Sequence, residues 1–305
     1  MHIRILDLDG AVSSQQEFVR KHQPQVVPLQ DWGRRIRIAS SFAEYRRFEK
    51  ACAERWSDDV AAPVLTLYGS GDFHHVTLAL LRRLREPFNL LILDKHPDWM
   101  RGIPLMHSGT WLNHAINLPN IRRVFHVGGD LDFDNFFYWF APWPKLRSGA
   151  VTVVPAVRSF TRGRWRDVPN RPLRESAYYF LSAARLTALL AEAGPDLARY
   201  PLYITLDKDL MRVDDAIVNW DSGCLELSEV VSVLEGFTNA CHGRLAGMDI
   251  VGDWSPVRVR GLMRRWLHWT EHPTLRVDPV QAAERNGRVN CVLVETLRAC
   301  LPLAA

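Results

Sequence analysis

Acidic and imidazole side chains directly follow a short apolar run, at Asp94, His96 and Asp98. The run itself, residues 90–93, predicts a buried strand. A strand places alternate side chains on one face, so Asp94 and His96 project together, and Asp98 joins them if the chain stays extended. Two carboxylates and an imidazole converging at a strand end repel one another or are poorly solvated without a cation. Alone, this segment fits a metal site and an ordinary loop equally well.

The same design recurs later in the chain, where Asp207 and Asp209 follow the apolar run 203–206. These two carboxylates also share one face of their strand. Ligands collect at the carboxyl ends of strands in open α/β sheets. Two such strands side by side bring four carboxylates to one point, and a divalent metal offsets both the burial of the charges and their repulsion.

A turn that contains glycine supplies the third segment. Gly69 and Gly71 follow the predicted strand 64–68 and allow a tight turn with close backbone approach. Either His74 or His75 then faces the same pocket at the start of a helix. A histidine pair alone is more often a surface or capping feature, but the three segments together predict a metal site.

The mixture of ligands limits the metal. Four carboxylates and two imidazoles without a thiol suit manganese best, with iron, cobalt, nickel or a catalytic zinc as alternatives, and they exclude a structural zinc of the cysteine type. Six side chains are too many for one catalytic ion that keeps an open position. Two ions roughly 3.5–4 Å apart, bridged by Asp94 and Asp207, account for the number and lower the pKa of a water between them.

The elements that position these residues alternate along the chain. Short apolar runs are separated by longer amphipathic stretches, which is typical of a parallel sheet covered by helices. Further strands are predicted at 3–8, 124–127, 151–154 and 245–251, and helices at 42–56, 75–85 and 227–237. No linker divides the chain, so we expect one domain over residues 1–305, with the Trp-, Phe-, Pro- and Arg-rich region 130–174 as an elaborated loop over the site.

Composition narrows the class of protein. The 305 residues are 47% hydrophobic and 24% charged, which is typical of a globular chain that can hold a rigid site. The net charge of +4 is spread without a dense basic block, so we expect a small-molecule substrate and no nucleic acid. The 11 tryptophans are expected to serve core and interface packing rather than ligand stacking.

The compartment is also constrained. The N-terminus lacks the apolar stretch of a signal peptide, and no window approaches the roughly 20 apolar residues of a membrane span. The five cysteines contain no Cys-x-x-Cys pair, which indicates reduced thiols rather than a disulfide framework. We therefore expect a cytoplasmic protein that is not bound to a membrane.

In combination, the three segments resemble the motifs of the ureohydrolase family, which includes arginase, agmatinase and formiminoglutamase. Asp94-Lys95-His96-Pro97-Asp98 is similar to the family's Asp-Ala-His-x-Asp motif, and Asp207-Lys208-Asp209 to its Asp-x-Asp motif. Gly71-Asp72-Phe73-His74-His75 resembles a degenerate Gly-Gly-Asp-His-Ser. Order, spacing and flanking strands agree over about residues 65–253. The resemblance implies a three-layer α/β/α sandwich with a mostly parallel sheet, and a homo-oligomer.

The resemblance also implies roles for individual residues. One ion would be bound by His74, Asp94, Asp98 and Asp207, and the other by His96, Asp94, Asp207 and Asp209. Met106-His107-Ser108-Gly109 is the segment nearest to the family's His-Gly pair, whose histidine shuttles protons. We therefore expect His107 to act as acid and base, a task suited to the intrinsic pKa of histidine, and Asp98 to be the second catalytic residue.

Two departures from the family bear on the substrate. The family's glutamate that grips a guanidinium falls at Gly252, so either Asp253 reaches in from the next position as the substrate-binding carboxylate or the grip is lost. Lys95 and Lys208 stand inside the acidic motifs. Strand alternation points both away from the metals, and we expect their ammonium groups to extend to solvent.

Three functions remain open at this point. The first is a binuclear-manganese hydrolase that cleaves a C–N bond of a small guanidine or amidine. The second is a metal-dependent amide hydrolase or deacetylase, which the missing glutamate favours. The third is a non-catalytic protein of the same fold, which the presence of all six ligand positions disfavours.

Overall fold

The structure, a computed structural model, describes residues 1–56, 63–101, 104–129, 139–159, 178–257, 259, 261–272 and 276–302. Its centre is an eight-stranded sheet in which every neighbouring pair of strands is parallel. In spatial order the strands are β2 (Gln25–Pro28), β1 (His2–Asp7), β4 (Val64–Leu67), β12 (Leu245–Val251), β11 (Leu202–Asp207), β5 (Phe88–Asp94), β7 (Ile121–Gly128) and β8 (Val151–Val154). Two short antiparallel pairs complete the strands: β3 (Ala39–Ser40) with β6 (Met106–His107), and β9 (Val157–Ser159) with β10 (Tyr178–Phe180).

The two strands that carry the acidic motifs are neighbours in the middle of this sheet. Every residue of β5 and β11 is buried, as their continuous apolar runs require between two helix layers. Leu93 pairs with Leu206. The two strands therefore end level, and Asp94 and Asp207 leave the sheet side by side.

The helices fall into two groups by their contacts. In the first group, each helix contacts the next in the order α7 (Ala183–Leu197), α8 (Leu227–Ala240), α10 (Pro279–Cys300) and α1 (Gln16–His22). In the other, α2 (Gln30–Ile36) touches α3 (Phe42–Arg55), and α4 (Val76–Leu81) touches α5 (Trp111–Ala115). The short α6 (Trp143–Arg147) packs on β8, and α9 (Leu262–Glu271) follows β12. This arrangement confirms the predicted α/β sandwich with a parallel central sheet.

The sequence-based elements agree with this fold in most places. All seven predicted strands lie in the central sheet, and the helices predicted at 42–56 and 227–237 correspond to α3 and α8. The helix predicted at 75–85 is shorter, because α4 ends at Leu81. The edge strand β2 was not predicted, since it has four residues and only one of them is buried.

The region expected to form a loop over the site is only partly described. Residues 130–138 and 160–174 lie outside the described residues, and the intervening part holds α6, β8 and β9. Among the residues that the structure does describe, no helix has both the length and the apolar character needed to cross a membrane.

Candidate metal centre

Three turns meet at the carboxyl ends of β4, β5 and β11. The turn after β4 begins with Ser70, whose hydroxyl accepts a hydrogen bond from the backbone N–H of Asp72, and leads through a 3-10 turn to His74. A Cβ atom on Gly71 would lie 2.8 Å from Oδ2 of Asp207, so only glycine lets this turn approach the end of β11 so closely. The turn therefore delivers a histidine to the two acidic strand ends.

His74 is the centre of the first group of side chains. Its Nδ1 lies 3.0 Å from Oδ2 of Asp94, 3.1 Å from Oδ2 of Asp98 and 3.6 Å from Oδ2 of Asp207. All four side chains are buried. The other ring nitrogen, Nε2, is 3.1 Å from the hydroxyl of Thr205, which fixes the ring with Nδ1 towards the carboxylates.

His96 forms the second group with Asp94 and Asp209. Its Nδ1 lies 2.7 Å from Oδ2 of Asp209 and 3.8 Å from Oδ1 of Asp94. Asp94 thus presents one oxygen to each group. Within each set, His74 with Asp94 and Asp98, or Asp94 with His96 and Asp209, the ligand atoms lie within 4.8 Å of one another. Two groups that share one carboxylate have the form of a two-ion site.

Asp98 reaches the cluster by a route that differs from the expected one. The chain does not stay extended beyond β5, because β5 ends at Asp94 and Asp98 itself has a φ of +52°. This left-handed conformation is uncommon for a residue other than glycine. The indole Nε1 of Trp111 donates to Oδ2 of Asp98 at 2.6 Å and holds the returned carboxylate in place.

The electrostatics of the cluster show an excess of negative charge. Burial, and then repulsion from a neighbouring carboxylate, raises the pKa of Asp94, Asp207 and Asp209. Burial lowers the pKa of His74 and His96, but the adjacent carboxylates outweigh it and hold both pKa values well above 6.5. Four carboxylates face two imidazoles, so the cluster lacks positive charge that divalent ions would supply.

The donor set fits such ions. The carboxylate atom Oδ2 of Asp94 is buried and has no hydrogen-bond partner of proper geometry within the described part of the chain, although Nδ1 of His74 is 3.0 Å away. A buried carboxylate oxygen without a donor is costly. Oxygen and imidazole ligands without a thiol match the preference of manganese and related ions.

Comparisons with known proteins identify the fold of the chain. No family model matches the sequence. An uncharacterized protein of Thermotoga maritima is 22% identical over 193 residues, which span 63% of this chain but only 59% of that protein's length. Formimidoylglutamase from Bacillus subtilis is similar in structure, with a TM-score of 0.59 and 13% identity over 99% of this chain and 88% of that one.

Two further solved structures agree. Arginase from Bacillus subtilis has a TM-score of 0.54 and 14% identity over 97% of this chain and 98% of that one. Agmatine ureohydrolase of Thermoplasma volcanium has a TM-score of 0.52 and 14% identity over 97% and 89%. The chain has a ureohydrolase-like fold. At such low identity the likeness shows the fold, and its site is argued from the residues themselves.

Within this ureohydrolase-like fold, the geometry brings His74 rather than His75 to the carboxylates. His75 is fully buried beside Tyr45, whose hydroxyl donates to the backbone carbonyl of His75 at 2.7 Å. Burial, with the nearby His107 and His74, lowers the pKa of His75 to about 3. It is therefore a neutral side chain packed behind the cluster.

His107 lines the pocket above the cluster, as a candidate catalytic residue must. Its Nδ1 accepts a hydrogen bond from the N–H of Gly109 at 2.9 Å, so the neutral ring carries its proton on Nε2. Burial lowers the pKa of His107 to about 4. At neutral pH the ring is therefore uncharged, its Nε2 is buried without a partner among the described residues, and the acid and base role of His107 stays a prediction.

The residues that follow β12 depart most from the expectation. Gly252 has a φ of +96°, and a Cβ there would lie 2.3 Å from Oδ1 of Asp207, so no side chain reaches the cluster from this position. Asp253 is fully buried, and its Oδ1 accepts from Nζ of Lys208 at 2.5 Å and from Gln15 at 2.6 Å. The structure does not bring Asp253 into the pocket, which corrects its expected role as the substrate-binding carboxylate.

The prediction that Lys95 and Lys208 extend their ammonium groups to solvent has a different outcome for each lysine. Lys208 is 0% exposed, so the prediction that its ammonium group extends to solvent is wrong. Lys95 is partly exposed, and its Nζ binds the carboxylate of Asp221, whose other oxygen is 3.5 Å from Nε2 of His96. Asp221 is a neighbour of the cluster that the sequence reasoning missed.

The pocket above the cluster has a volume of about 410 Å³. Beyond the six predicted ligands and Gly71, its described lining consists of Pro97, Met100, His107, Ser108, Gly109, Trp220, Trp266 and Leu267. The tryptophans were expected to serve core and interface packing. Trp32, Trp56, Trp99 and Trp111 do lie in the core, whereas Trp220 packs against the ring of His96 at 5.3 Å and Trp266 lines the pocket from α9 while 59% exposed.

Proposed function

We propose that the protein is a binuclear-metal hydrolase that cleaves a C–N bond of a small molecule. The proposal rests on one observation. Two groups of three residues share Asp94 in a buried cluster in which carboxylates outnumber imidazoles. Manganese is the ion we propose, and iron, cobalt, nickel and zinc are alternatives with similar ligand preferences. The fold shared with arginase and formimidoylglutamase supports hydrolase chemistry.

Each side chain of the cluster has a task in this proposal. Bound to these ligands, two divalent ions would supply hydroxide at neutral pH and polarise the bond to be cleaved. Thr205 and Trp111 orient His74 and Asp98 by hydrogen bonds at 3.1 Å and 2.6 Å. His107 lines the pocket, and we propose that it contacts the substrate there.

The resemblance to ureohydrolases suggests a guanidine or amidine as the substrate. A specific observation favours a second candidate, an uncharged amide. Gly252 leaves no side chain where the family has its guanidinium-gripping glutamate, and Asp253 is occupied by Lys208. Both candidates have a planar carbon bonded to nitrogen, so the same cluster serves either reaction.

The test is metal content, measured by plasma mass spectrometry on protein purified without chelator and on protein reconstituted with manganese. We expect about two equivalents in the wild type and their loss in Asp94→Asn and Asp207→Asn, together with any hydrolytic activity. Asp214→Asn changes an exposed acid and serves as the matched control. A wild type that binds no manganese after reconstitution would favour the non-catalytic function instead.

The remaining expectations also stand as proposals. The five cysteines contain no Cys-x-x-Cys pair, and we propose a reducing compartment, the cytoplasm, on that basis. We propose a small-molecule substrate without a nucleic-acid partner, since the cluster lies in a pocket of limited volume. A homo-oligomer is proposed by similarity of fold.

A further inference from the structure

The walls of the pocket differ sharply in chemistry from its floor. The floor is the cluster of carboxylates and imidazoles. The described walls are largely apolar, formed by Pro97 and Met100 after β5, Trp220 after β11, and Trp266 and Leu267 of α9. Apolar walls around a few convergent polar groups are typical of a small-molecule site, and the walls indicate what the non-reacting part of the substrate is like.

The described wall residues above the cluster carry no charge. Apart from the cluster and His107, the described lining contains no aspartate, glutamate, lysine, arginine or other histidine. The nearest additional acid, Asp221, is bound by Nζ of Lys95 and lies beside His96. A guanidinium or an amino-acid head group would therefore lose its hydration without gaining a counter-charge from these walls.

Three of the wall residues are placed to hold an apolar group. Trp220 is fixed by its Nε1, which donates to Asp72 at 3.1 Å, and its ring lies between His96 and His272. Trp266 lines the opening of the pocket and exposes 59% of its surface. Met100 adds a flexible, polarizable side chain that adapts to ligands of different shape.

We infer that the substrate is a neutral amide bearing an apolar alkyl or aryl group, which contacts Met100, Trp220 and Trp266. This inference rests on the proposed function. Water adds to the carbonyl carbon, the C–N bond breaks, and the nitrogen leaves as an amine after taking one proton. The other product is a carboxylate, whose proton goes to solvent.

Binding tests the inference without turnover. Calorimetry would measure the affinity of the manganese-loaded protein for straight-chain hydroxamic acids with two, four, six and eight carbons. We expect affinity to rise about two- to fourfold for each added methylene, as partial to full burial of that group predicts. The slope should flatten in Trp266→Ala and Met100→Ala. Trp269→Ala, which alters a 79% exposed residue of the same helix outside the lining, should keep the wild-type slope.

Turnover separates this inference from the proposed function. N-alkyl acetamides and N-alkylguanidines of equal chain length form the matched series for the loaded wild type. Preference for the amides, with KM rising about tenfold in Trp266→Ala and kcat nearly constant, is the expected result. Preference for the guanidines, or affinity that does not depend on chain length, would overturn the inference and leave the proposed function standing. Hydrolysis of neither series would overturn both.

Discussion

Two buried clusters of charge lie around the end of β11, and they differ in how completely their charges are balanced. Lys208 and Asp253 form one cluster, in which a single cation meets a single anion at 2.5 Å. Asn290 and Gln15 add hydrogen bonds to this pair. The carboxylates of the cluster around Asp207 and Asp209 are also buried, but they outnumber its imidazoles.

This difference in charge balance distinguishes a structural ion pair from the candidate binding site. Burial lowers the pKa of Lys208, but the facing Asp253 supports its charged form, so the two charges of that pair balance each other within the protein. Burial raises the pKa of Asp207, and Asp209 and Asp94 raise it further. One cluster has balanced charges, whereas the other is the cluster at which we propose that divalent cations bind. Removing a charge should therefore have opposite effects on the two.

The largest effect is expected in the balanced cluster. Lys208→Met leaves Asp253 as an uncompensated buried charge, so the free energy of unfolding should fall by about 3–5 kcal/mol. Urea unfolding at pH 7.5 measures it. Adding Asp253→Asn to this variant removes the orphaned charge and should restore more than half of the loss. If the double variant is no more stable than the single one, the charge balance is not what makes this pair important.

A smaller effect is expected from a residue that supports the metal cluster by a hydrogen bond to one of its proposed ligands. Thr205 contacts Nε2 of His74 and donates to Asp249 at 2.7 Å. Thr205→Val removes this support while keeping the shape, so manganese affinity should fall about 10–100-fold, as loss of a ligand's supporting hydrogen bond does elsewhere. Titration calorimetry gives the affinity, and Thr187→Val in the exposed part of α7 is the control. Equal affinities in both variants would show that His74 needs no such support.

The next prediction concerns pH. His126 is fully buried, its ring nitrogens have no partner among the described residues, and burial lowers its pKa to about 3. A histidine whose pKa is depressed in the folded state costs stability as the pH falls below its unfolded value of about 6.5. Between pH 7.5 and pH 5, the metal-free wild type should lose up to about 2 kcal/mol more stability than His126→Leu. Parallel pH profiles of the two proteins would contradict this assignment.

The smallest effect has the opposite sign from the first. Asp207→Asn keeps the hydrogen bond that Oδ1 accepts from the N–H of Asp209, but removes one of several repelling charges. The metal-free variant should be on the order of 1 kcal/mol more stable than the metal-free wild type, as replacement of buried charge often is. Thermal unfolding in chelator measures the difference. With manganese present the order should reverse, and a variant that is destabilised in chelator would remove the contrast between the two clusters.

Sequence periodicity was sufficient for the centre of the fold but not for its edges. The runs that became β5 and β11 are largely apolar and buried throughout, because both of their faces are covered. The edge strand β2 lacks such a signal, because three of its four residues are not buried. A strand whose side chains largely face solvent gives a weaker pattern along the chain.

The candidate site also has some features that the sequence predicts and others that it does not. Alternation along a strand predicts that Asp207 and Asp209 share one face and that Lys208 points away from it. It does not predict that Asp98 returns through a left-handed turn to Trp111, since that depends on a contact across 13 positions. Nor does it show that Asp253 faces Lys208 rather than the pocket. Both outcomes depend on which buried partner lies within reach.

The sequence by itself determined the parallel sheet, the residues at its strand ends and the excess of carboxylates among them, because these follow from local order and residue type. Only the tertiary structure decided that His74 rather than His75 meets the carboxylates, that Lys208 is matched by Asp253, and that tryptophans wall the pocket. Each of these outcomes depends on contacts between residues that are far apart in the chain. Their energies come from burial and charge balance, which exist only once the chain has packed.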